Sequence, residues 1–219
     1  MTDEFVTSTR AEQIEQLNIG GVAWNTEQPR HGEIMQMVSK INHGNIKLNL
    51  GCGIKRFHMP EWINIDHSID CNPDLILDVE NEEFPFNENS VAEIRADNLL
   101  EHFSSLTHCM NECWTVLKPG GVFWFRVPAV DRFEIEILNP AYLSTPQPAK
   151  IRMYGAFRDP THKKFFCEGT MDYWNGDHQT WKNYGKSYGF RPWKVDTKVF
   201  HNPKNGLFFY DVTQLPTKD

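Results

Sequence analysis

The chain has 219 residues, and its 22 lysines and arginines against 29 aspartates and glutamates give a formal net charge of −7. This length suits one domain, or one domain with a modest insertion, and it is long enough to bury a core. Hydrophobic residues make up 40% of the chain and aromatic residues 13%, which argues against a disordered protein. The acidic balance argues against a protein that holds nucleic acid by bulk charge, although a local basic patch stays open.

The sequence shows no signal for export or membrane insertion. No apolar run approaches the roughly 20 residues that span a bilayer. The first residues, Met1 to Phe5, are acidic and are not followed by an apolar stretch, so we expect no secretory signal. The five cysteines are odd in number and form no C-x-x-C pair, which predicts free thiols in a reducing compartment. We therefore expect a cytoplasmic protein without a membrane segment.

The first half of the chain predicts a cap followed by alternating strands and crossovers. Residues 1–45 are polar, and the stretches 12–17 and 32–41 predict short helices in an N-terminal helical cap. Apolar runs predict strands at 46–50, 62–66, 74–78, 91–96 and 122–127. Apolar residues at helical spacing predict a helix over 105–117, which Lys118-Pro119-Gly120-Gly121 ends.

The second half changes character. Residues 129–170 interrupt the alternation with four prolines and predict an insertion or lid near an acceptor site. Apolar runs at 191–200 and 207–213 flank Asn205-Gly206 and predict an antiparallel hairpin. Strands that alternate with crossovers predict an α/β fold, in which a mainly parallel sheet carries helices on its faces.

The ends of the predicted strands carry residues that suit a nucleoside. Ligands of open α/β sheets bind beyond the carboxyl ends of the strands. A Gly51-Cys52-Gly53 turn lets backbone approach a ligand, Asp66 can accept from a ribose diol, and Asp78 with the Val79 amide can read an adenine edge. Each also has a plain structural interpretation, as a tight turn, a surface cap or a loop acid.

Phosphate-binding patterns are missing at the same places. A dinucleotide fingerprint needs a third glycine, where this chain has Arg56, and no G-x-x-x-x-G-K-[ST] occurs. The strand ends therefore favour an adenosyl sulfonium over NAD or ATP.

Five segments in order carry a family resemblance. Leu48-Asn49-Leu50-Gly51-Cys52-Gly53 is followed by 61–66, 84–94, 100–103 and 117–121. Together they resemble the class I S-adenosylmethionine-dependent methyltransferases, and the type 11 small methyltransferases most of all. The resemblance covers about residues 46–128. It implies a Rossmann-like, mainly parallel seven-stranded sheet with helices on both faces and an antiparallel C-terminal hairpin, in a methyltransferase domain over 46–219.

The resemblance also implies S-adenosyl-L-methionine as the cofactor, S-adenosyl-L-homocysteine as the product, and a set of binding residues. Gly51 and Gly53 would line the methionine and ribose part, Asp66 would hold the ribose hydroxyls, and Asp97-Asn98 would sit beside the methyl-donor end. The expected cofactor-binding residues are Asn49, Gly51, Cys52, Gly53, Asp66, His67, Asp78, Val79, Asp97 and Asn98.

Two positions depart from the family pattern. Asn49 stands where many relatives of the wider class carry an acid, which puts a water-mediated hold on the cofactor's amino group in doubt. Asn98 stands where close relatives often carry histidine, which puts a general base at that position in doubt.

Methyl transfer from a sulfonium is a direct displacement with a neutral leaving group, so the protein mainly aligns donor and acceptor. A general base matters only if the acceptor must lose a proton. The candidate catalytic residues are His162, His102 and Asp97, with Glu101 as a further candidate base. His102 and Glu101 also suit a packed structural role, and His162 suits a solvated loop.

We expect no metal site. Cys109 and Cys113 lie near His102 and His108 in sequence, but both cysteines fall on the apolar stripe of the predicted helix and favour core thiols over zinc ligands.

The acceptor is only broadly indicated. Aromatic residues interleaved with lysines and arginines crowd the C-terminal half, and such residues stack on sugars or bases, or fill a core. We expect a small-molecule or glycan-like acceptor, with a protein acceptor, nucleic acid and a catalytically silent cofactor-binding protein as alternatives. The sequence predicts no oligomeric state.

Overall fold

The computed structural model describes residues 18–19, 22–23, 45–131, 134–137, 149–152, 154–204 and 207–218. The strands are β1 (Asn18–Ile19), β2 (Val22–Ala23), β3 (Ile46–Leu50), β4 (Ile63–Asp66), β5 (Leu75–Ile76), β6 (Val91–Asp97), β7 (Leu117–Pro128), β8 (Glu134–Ile137), β9 (Ala149–Arg152), β10 (Trp193–Asn202) and β11 (Leu207–Pro216). The α-helices are α1 (Thr107–Val116) and α2 (Tyr154–Arg158). Short 3-10 helices lie at Lys55–Phe57, Ile69–Cys71, Leu100–His102 and Glu168–Tyr173, and a π-helical turn lies at Trp181–Gly185.

Seven strands form one sheet in the order β10-β11-β7-β6-β3-β4-β5. The pairs among β5, β4, β3, β6 and β7 are parallel, whereas β11 runs antiparallel to both β7 and β10. This arrangement confirms the predicted Rossmann-like α/β fold with an antiparallel C-terminal hairpin. Because β3 lies between β4 and β6, its carboxyl end sits at the middle of the sheet edge where ligands bind.

The centre of the sheet is buried on both faces, as expected for parallel strands covered by other elements. Leu48 and Leu50 of β3 and Ile94 of β6 have no exposed surface. Helix α1 adds the side chains of Cys109 and Cys113, which are fully buried and form no disulfide. Their prediction as core thiols is confirmed.

The predicted helix over 105–117 is confirmed as α1, but β7 begins five residues earlier than the predicted strand at 122. The β6–β7 ladder pairs Val91 with Leu117 and then Glu93 with Val122, so residues 118–121 bulge out of it. Gly120 in this bulge has a φ of 75°. The segment Lys118-Pro119-Gly120-Gly121, which the sequence predicted to end the helix, lies inside β7, because the ladder with β6 continues on both sides of it.

The crossovers around the site are short. A single turn, Lys55–Phe57, stands between β3 and β4, and another, Ile69–Cys71, stands between β4 and β5. Strand β5 pairs only through Leu75 and Ile76, although the sequence predicted a strand over 74–78, because it is the edge strand and has one neighbour.

Two predicted segments are only partly described. The helices predicted at 12–17 and 32–41 lie outside the described residues, and β1 and β2 form an antiparallel pair between them. Within 129–170, β8 pairs with β9 outside the main sheet, and α2 follows. The helical cap and the lid stay predictions. No helix among the described residues has the length and apolarity that crossing a membrane requires.

Candidate functional site

The turn after β3 has a conformation that requires glycine. Gly51 and Gly53 have φ values of 60° and 59°, which side chains rarely tolerate. A Cβ on Gly51 would lie 2.6 Å from Cδ1 of Leu99, whereas a Cβ on Gly53 would meet nothing closer than Phe57 at 3.6 Å. The turn thus presents bare backbone at the carboxyl end of the central strand.

Asp66 at the end of β4 holds this turn in place. Its Oδ2 accepts from the Gly53 amide at 2.9 Å, and its Oδ1 accepts from the Ser68 amide at 3.0 Å. The side chain is 9% exposed, and His67 Nδ1 lies 3.4 Å from Oδ1. Since each carboxylate oxygen has a second lone pair, Asp66 can still accept from a ligand hydroxyl.

A cavity of about 520 Å³, which we name the strand-end pocket, opens beside the glycine turn. Its lining residues are Asn49, Gly51, Cys52, Gly53, Phe57, Met59, Arg95, Asp97 and Asn98. Six of the ten predicted cofactor-binding residues are therefore brought together around one space. The other four are not among its lining residues: Asp66 ends β4, His67 follows it, and Asp78 and Val79 follow β5.

Three residues of this pocket were missed by sequence reasoning. Arg95 lies two residues before Asp97 on β6, so strand periodicity could have placed the two side chains on one face. Their side chains approach to 3.4 Å. Phe57 and Met59 lie in the short crossover, where no local pattern marks them.

Asn49 explains how that crossover is positioned. Its Nδ2 donates to Asn64 Oδ1 at 2.9 Å and to the Phe57 carbonyl at 3.3 Å, and Asn64 Oδ1 also accepts from the Met59 amide at 2.8 Å. An aspartate at position 49 would place a carboxylate oxygen where Nδ2 now donates, facing the Phe57 carbonyl oxygen and Asn64 Oδ1, and oxygens that only accept would repel each other. An amide at position 49 therefore suits this structure better than a carboxylate.

The thiol of Cys52 is kept neutral. Burial raises its pKa to about 12, and the charges of Asp66, Cys71 and Asp74 act in the same direction. Its Sγ lies 3.4 Å from His58 Nε2. Cys52 therefore contributes no charge to the lining of the strand-end pocket.

Strand β6 ends at Asp97, and Asn98, which follows it, has left-handed backbone. Asn98 has a φ of 52°, its amide donates to the Arg126 carbonyl at 2.9 Å, and its Nδ2 donates to Asp97 Oδ1 at 2.9 Å. Strained backbone of this kind concentrates at functional sites.

Asp78 and Val79 were predicted to read adenine. The Asp78 carboxylate accepts from the Glu80 amide at 3.1 Å and from Asn81 Nδ2 at 2.9 Å, so it stabilises its own turn. The Val79 side chain is buried in the core. Contact with adenine stays a prediction.

A second cavity of about 460 Å³, which we name the second pocket, shares Asn98 with the first. Its lining residues are Asn98, Glu101, His102, Pro128, Arg158, Asp159, Pro160, His162, Leu207 and Phe209. His102 and His162, two of the predicted catalytic residues, therefore lie together, with ring centroids 4.9 Å apart. Asp97, the third, lines the strand-end pocket instead.

Hydrogen bonds fix the proton positions on both rings. His162 Nδ1 lies 2.7 Å from the Ala156 carbonyl, which can only accept, so Nδ1 carries a proton, and in the neutral form of the ring Nε2 carries the lone pair. Thr161 donates its hydroxyl to Asp159 at 2.6 Å and thus accepts from His102 Nδ1 at 2.9 Å. Burial and the neighbouring His162 lower the pKa of His102. In the neutral form of either ring, the nitrogen with the lone pair is therefore Nε2.

Glu101 is the most unusual residue of the second pocket. It is 1% exposed, and neither carboxylate oxygen has a hydrogen-bond partner among the described residues. Burial raises its pKa to about 8; its own backbone amide opposes this shift, and the charges of Asp97 and Asp159 reinforce it. Its main-chain oxygen accepts from the amides of Lys163 and Lys164 at 2.8 and 2.9 Å, which holds that segment against the end of β6.

Comparisons with known proteins agree with this geometry. Residues 65–125 match the family model described as a methyltransferase domain, of the type 11 family. A comparison with the curated proteins gave no match.

Three solved structures are similar to the chain. A mutant form of the 16S rRNA (adenine(1408)-N(1))-methyltransferase from Catenulisporales acidiphilia has a TM-score of 0.52 at 11% identity, over 84% of this chain and 91% of that one. The 1,6-didemethyltoxoflavin-N1-methyltransferase of Burkholderia thailandensis, with bound S-adenosylhomocysteine, has a TM-score of 0.47 at 13% identity, over 88% and 80%.

A chain of the complex between the Haloferax volcanii Trm112 methyltransferase activator and its methyltransferase is 21% identical with a TM-score of 0.33, over 39% of this chain and 46% of that one. The aligned part is less than half of that relative's length. The first of the three likenesses shows the fold alone. Residues 65–125 of this fold are similar to a methyltransferase domain, whose model covers less than half of the chain.

Proposed function

We propose that this methyltransferase transfers the methyl group to a small-molecule or glycan-like acceptor in the second pocket, by direct displacement. The observation that carries the proposal is the meeting of two cavities at Asn98, which lines both. The Gly51-Cys52-Gly53 turn lines the strand-end pocket, and His102 and His162 line the second pocket. Donor and acceptor bound on the two sides of Asn98 would face each other, and such alignment is what a displacement reaction needs most.

The strand-end pocket suits the donor. The Gly53 position leaves space where a side chain would project, and the acid Asp97 lies on the pocket wall. A carboxylate attracts a sulfonium cation, and the methyl group leaves from that sulfonium as a neutral thioether is released. In this proposal Asp66 accepts from the ribose hydroxyls, and Asp78 with the Val79 backbone contacts adenine.

The second pocket suits a compact polar acceptor. A volume of about 460 Å³ falls within the roughly 300–1,000 Å³ typical of small-molecule sites. Asn98, His102 and Arg158 offer polar groups, and Leu207 and Phe209 offer an apolar wall. A molecule with several hydroxyl or amine groups and one apolar face fits this combination.

Two histidines of the second pocket can take up a proton that the methyl acceptor loses. The unprotonated Nε2 atoms of His102 and His162 can accept it from a hydroxyl or an ammonium group. The lowered pKa of His102 keeps that ring neutral near pH 7, as a base requires.

A nucleic-acid acceptor is the second candidate, because one exposed cluster favours it. The rings of Tyr173 and Tyr188 stack 6.0 Å apart, and those of Tyr184 and Tyr188 stack 6.3 Å apart. All three side chains are exposed, and Lys182 and Lys186 are exposed near Tyr184 in sequence. Aromatic stacks beside cations can hold single-stranded nucleic acid.

Transfer of a labelled methyl group separates these candidates. The protein is incubated with methyl-labelled S-adenosylmethionine and an extract divided into low-mass, glycan, protein and nucleic-acid fractions. We expect label in the low-mass or glycan fraction, with much less label for His162→Ala and an unchanged amount for the control His178→Ala. Label confined to nucleic acid, together with steep salt dependence of binding, would support the second candidate instead. Cofactor binding without label in any fraction would contradict both.

A further inference from the structure

We propose that Glu101, His102 and His162 bind one divalent transition-metal ion at the wall of the second pocket. Two imidazoles and one carboxylate are the ligand set of zinc and of non-haem iron(II) sites. The sequence predicted no metal site, and this inference departs from that expectation. It also goes beyond the methyl transfer proposed above, and with an ion bound the two histidines would hold the ion and would not accept a proton from the methyl acceptor.

The three candidate ligand atoms lie near one another in space. One nitrogen of each histidine and one carboxylate oxygen of Glu101 lie within 4.8 Å of one another. His162 Nε2 lies 4.0 Å from Glu101 Oε1. Two ligands bound at about 2.1 Å in a tetrahedral site lie about 3.4 Å apart. The ligand atoms would therefore have to approach one another by up to about 1.4 Å, which side-chain rotation can supply.

The histidines are already oriented as metal ligands usually are. A ligating histidine donates its second ring N–H to a carbonyl or a carboxylate, which fixes the tautomer. His162 does so to the Ala156 carbonyl, and His102 does so to the Thr161 hydroxyl, which in turn donates to Asp159.

The carboxylate of Glu101 is an independent indication of a ligand. A buried carboxyl group without hydrogen bonds is energetically unfavourable, and buried charges are normally paired or bound to metals. Both of its oxygens lack a partner among the described residues, and the side chain is 1% exposed. Asp97 and Asp159 add negative charge towards it. A divalent cation would satisfy the oxygens and balance these acids.

Three protein ligands leave a coordination position free, as in catalytic zinc sites. All three ligands line the second pocket, so that position would be available to an oxygen of the acceptor. This last step rests on the proposed function, whereas metal binding itself does not.

Cobalt(II) and zinc(II) binding tests the site. Tag-free protein is stripped with a chelator and titrated with Co²⁺, followed by visible absorption, and with Zn²⁺, followed by calorimetry. We expect one ion per chain and visible cobalt bands typical of mixed nitrogen and oxygen ligands. Glu101→Gln and His162→Ala should each weaken binding at least about tenfold. The control His178→Ala, a histidine 3.8 Å from Asp172, should leave the affinity unchanged.

A second variant protects the test against misfolding. Thr161→Val removes the hydroxyl that orients His102 without touching a ligand, and we expect about tenfold weaker binding in a chain with an unchanged thermal transition. No stoichiometric binding by the unmodified protein, or binding that Glu101→Gln leaves unaltered, would overturn the site. Because these titrations contain neither cofactor nor acceptor, their failure leaves the methyl-transfer proposal standing, and a failed transfer assay leaves the metal site standing.

Discussion

Gly51, Gly53 and Asn98 have left-handed backbone, and all three line the strand-end pocket. Glycine adopts this conformation without penalty, whereas asparagine adopts it at some energetic cost. The cost at Asn98 is offset by two hydrogen bonds, from its amide to the Arg126 carbonyl and from its side chain to Asp97. These two hydrogen bonds hold Asn98 in its left-handed conformation between the two cavities.

The Gly51 position allows a sharp test of the turn. Gly51→Ala should lower the free energy of unfolding by about 1–3 kcal/mol and weaken S-adenosylhomocysteine binding, because its Cβ would meet Leu99 in addition to the backbone strain. Gly120→Ala is a matched control, since Gly120 also has a positive φ but nothing within 4 Å of the added atom. Urea unfolding and calorimetry measure both effects. Equal stability losses in the two variants would show that contact with Leu99 does not matter.

We expect Asp66 to have two roles: it holds the glycine turn through the Gly53 amide, and it accepts hydrogen bonds from the ribose hydroxyls of the cofactor. Asp66→Ala should weaken S-adenosylhomocysteine binding by at least about tenfold, because it removes a charge-assisted acceptor worth roughly 1.5–3 kcal/mol. Asp66→Asn keeps one oxygen and should lose less. Asp70→Ala, on the exposed turn nearby, serves as the control. An unchanged calorimetric affinity for Asp66→Ala would count against the ribose role.

At the scale of elements, the sequence predicted most strands well because their apolar periods match their burial. Strands β3, β4 and β6 agree with their predicted spans within one residue. The errors fall where pairing, not local preference, decides the ends. Strand β5 is shortened by having one neighbour, and β7 is lengthened because hydrogen bonding resumes across the bulge at 118–121.

A paired arginine and aspartate join β7 to β11. Arg126 donates from Nε and Nη2 to the two oxygens of Asp211 at 2.6 and 2.7 Å, and these hydrogen bonds raise the pKa of the guanidinium. The two residues face each other in the antiparallel ladder. Bidentate pairs of this kind are stronger than ordinary surface pairs.

We expect Asp211→Asn to lower the free energy of unfolding by about 1 kcal/mol at low salt, and by less at high salt because the pair is partly screened. Asp196→Asn tests the more exposed contact with Lys198 at 3.6 Å and should change stability little. Urea unfolding at two salt concentrations measures the difference. A loss for Asp196→Asn as large as that for Asp211→Asn would remove the distinction.

At the scale of the whole molecule, the strand-end residues of the predicted nucleoside site were accessible to sequence reasoning because the fold brings parallel strand ends to one edge. The cluster of Glu101, His102 and His162 was not accessible as a set. Its two halves lie far apart in sequence, and they meet because the Glu101 carbonyl accepts from the amides that follow His162. No local pattern records such a tertiary contact.

Cofactor binding should stabilise the entire fold. At about 100 times its dissociation constant, S-adenosylhomocysteine should raise the free energy of unfolding by about 2.7 kcal/mol, since it binds only the folded chain. Adenosine diphosphate at the same concentration should have little effect, because the predicted site lacks a phosphate cradle. Thermal unfolding with each ligand measures the shift. A larger shift with the diphosphate would contradict the nucleoside assignment.

The two cavities draw on different parts of the chain. The glycine turn and Asn98 belong to the ends of β3 and β6, whereas Arg158, Asp159 and Pro160 lie at and after α2, outside the seven-stranded sheet. Replacements in that outer segment can reshape the second pocket while the strand-end pocket keeps its shape. Under the proposed function, such replacements would change which compound is methylated and would leave the methyl donor the same.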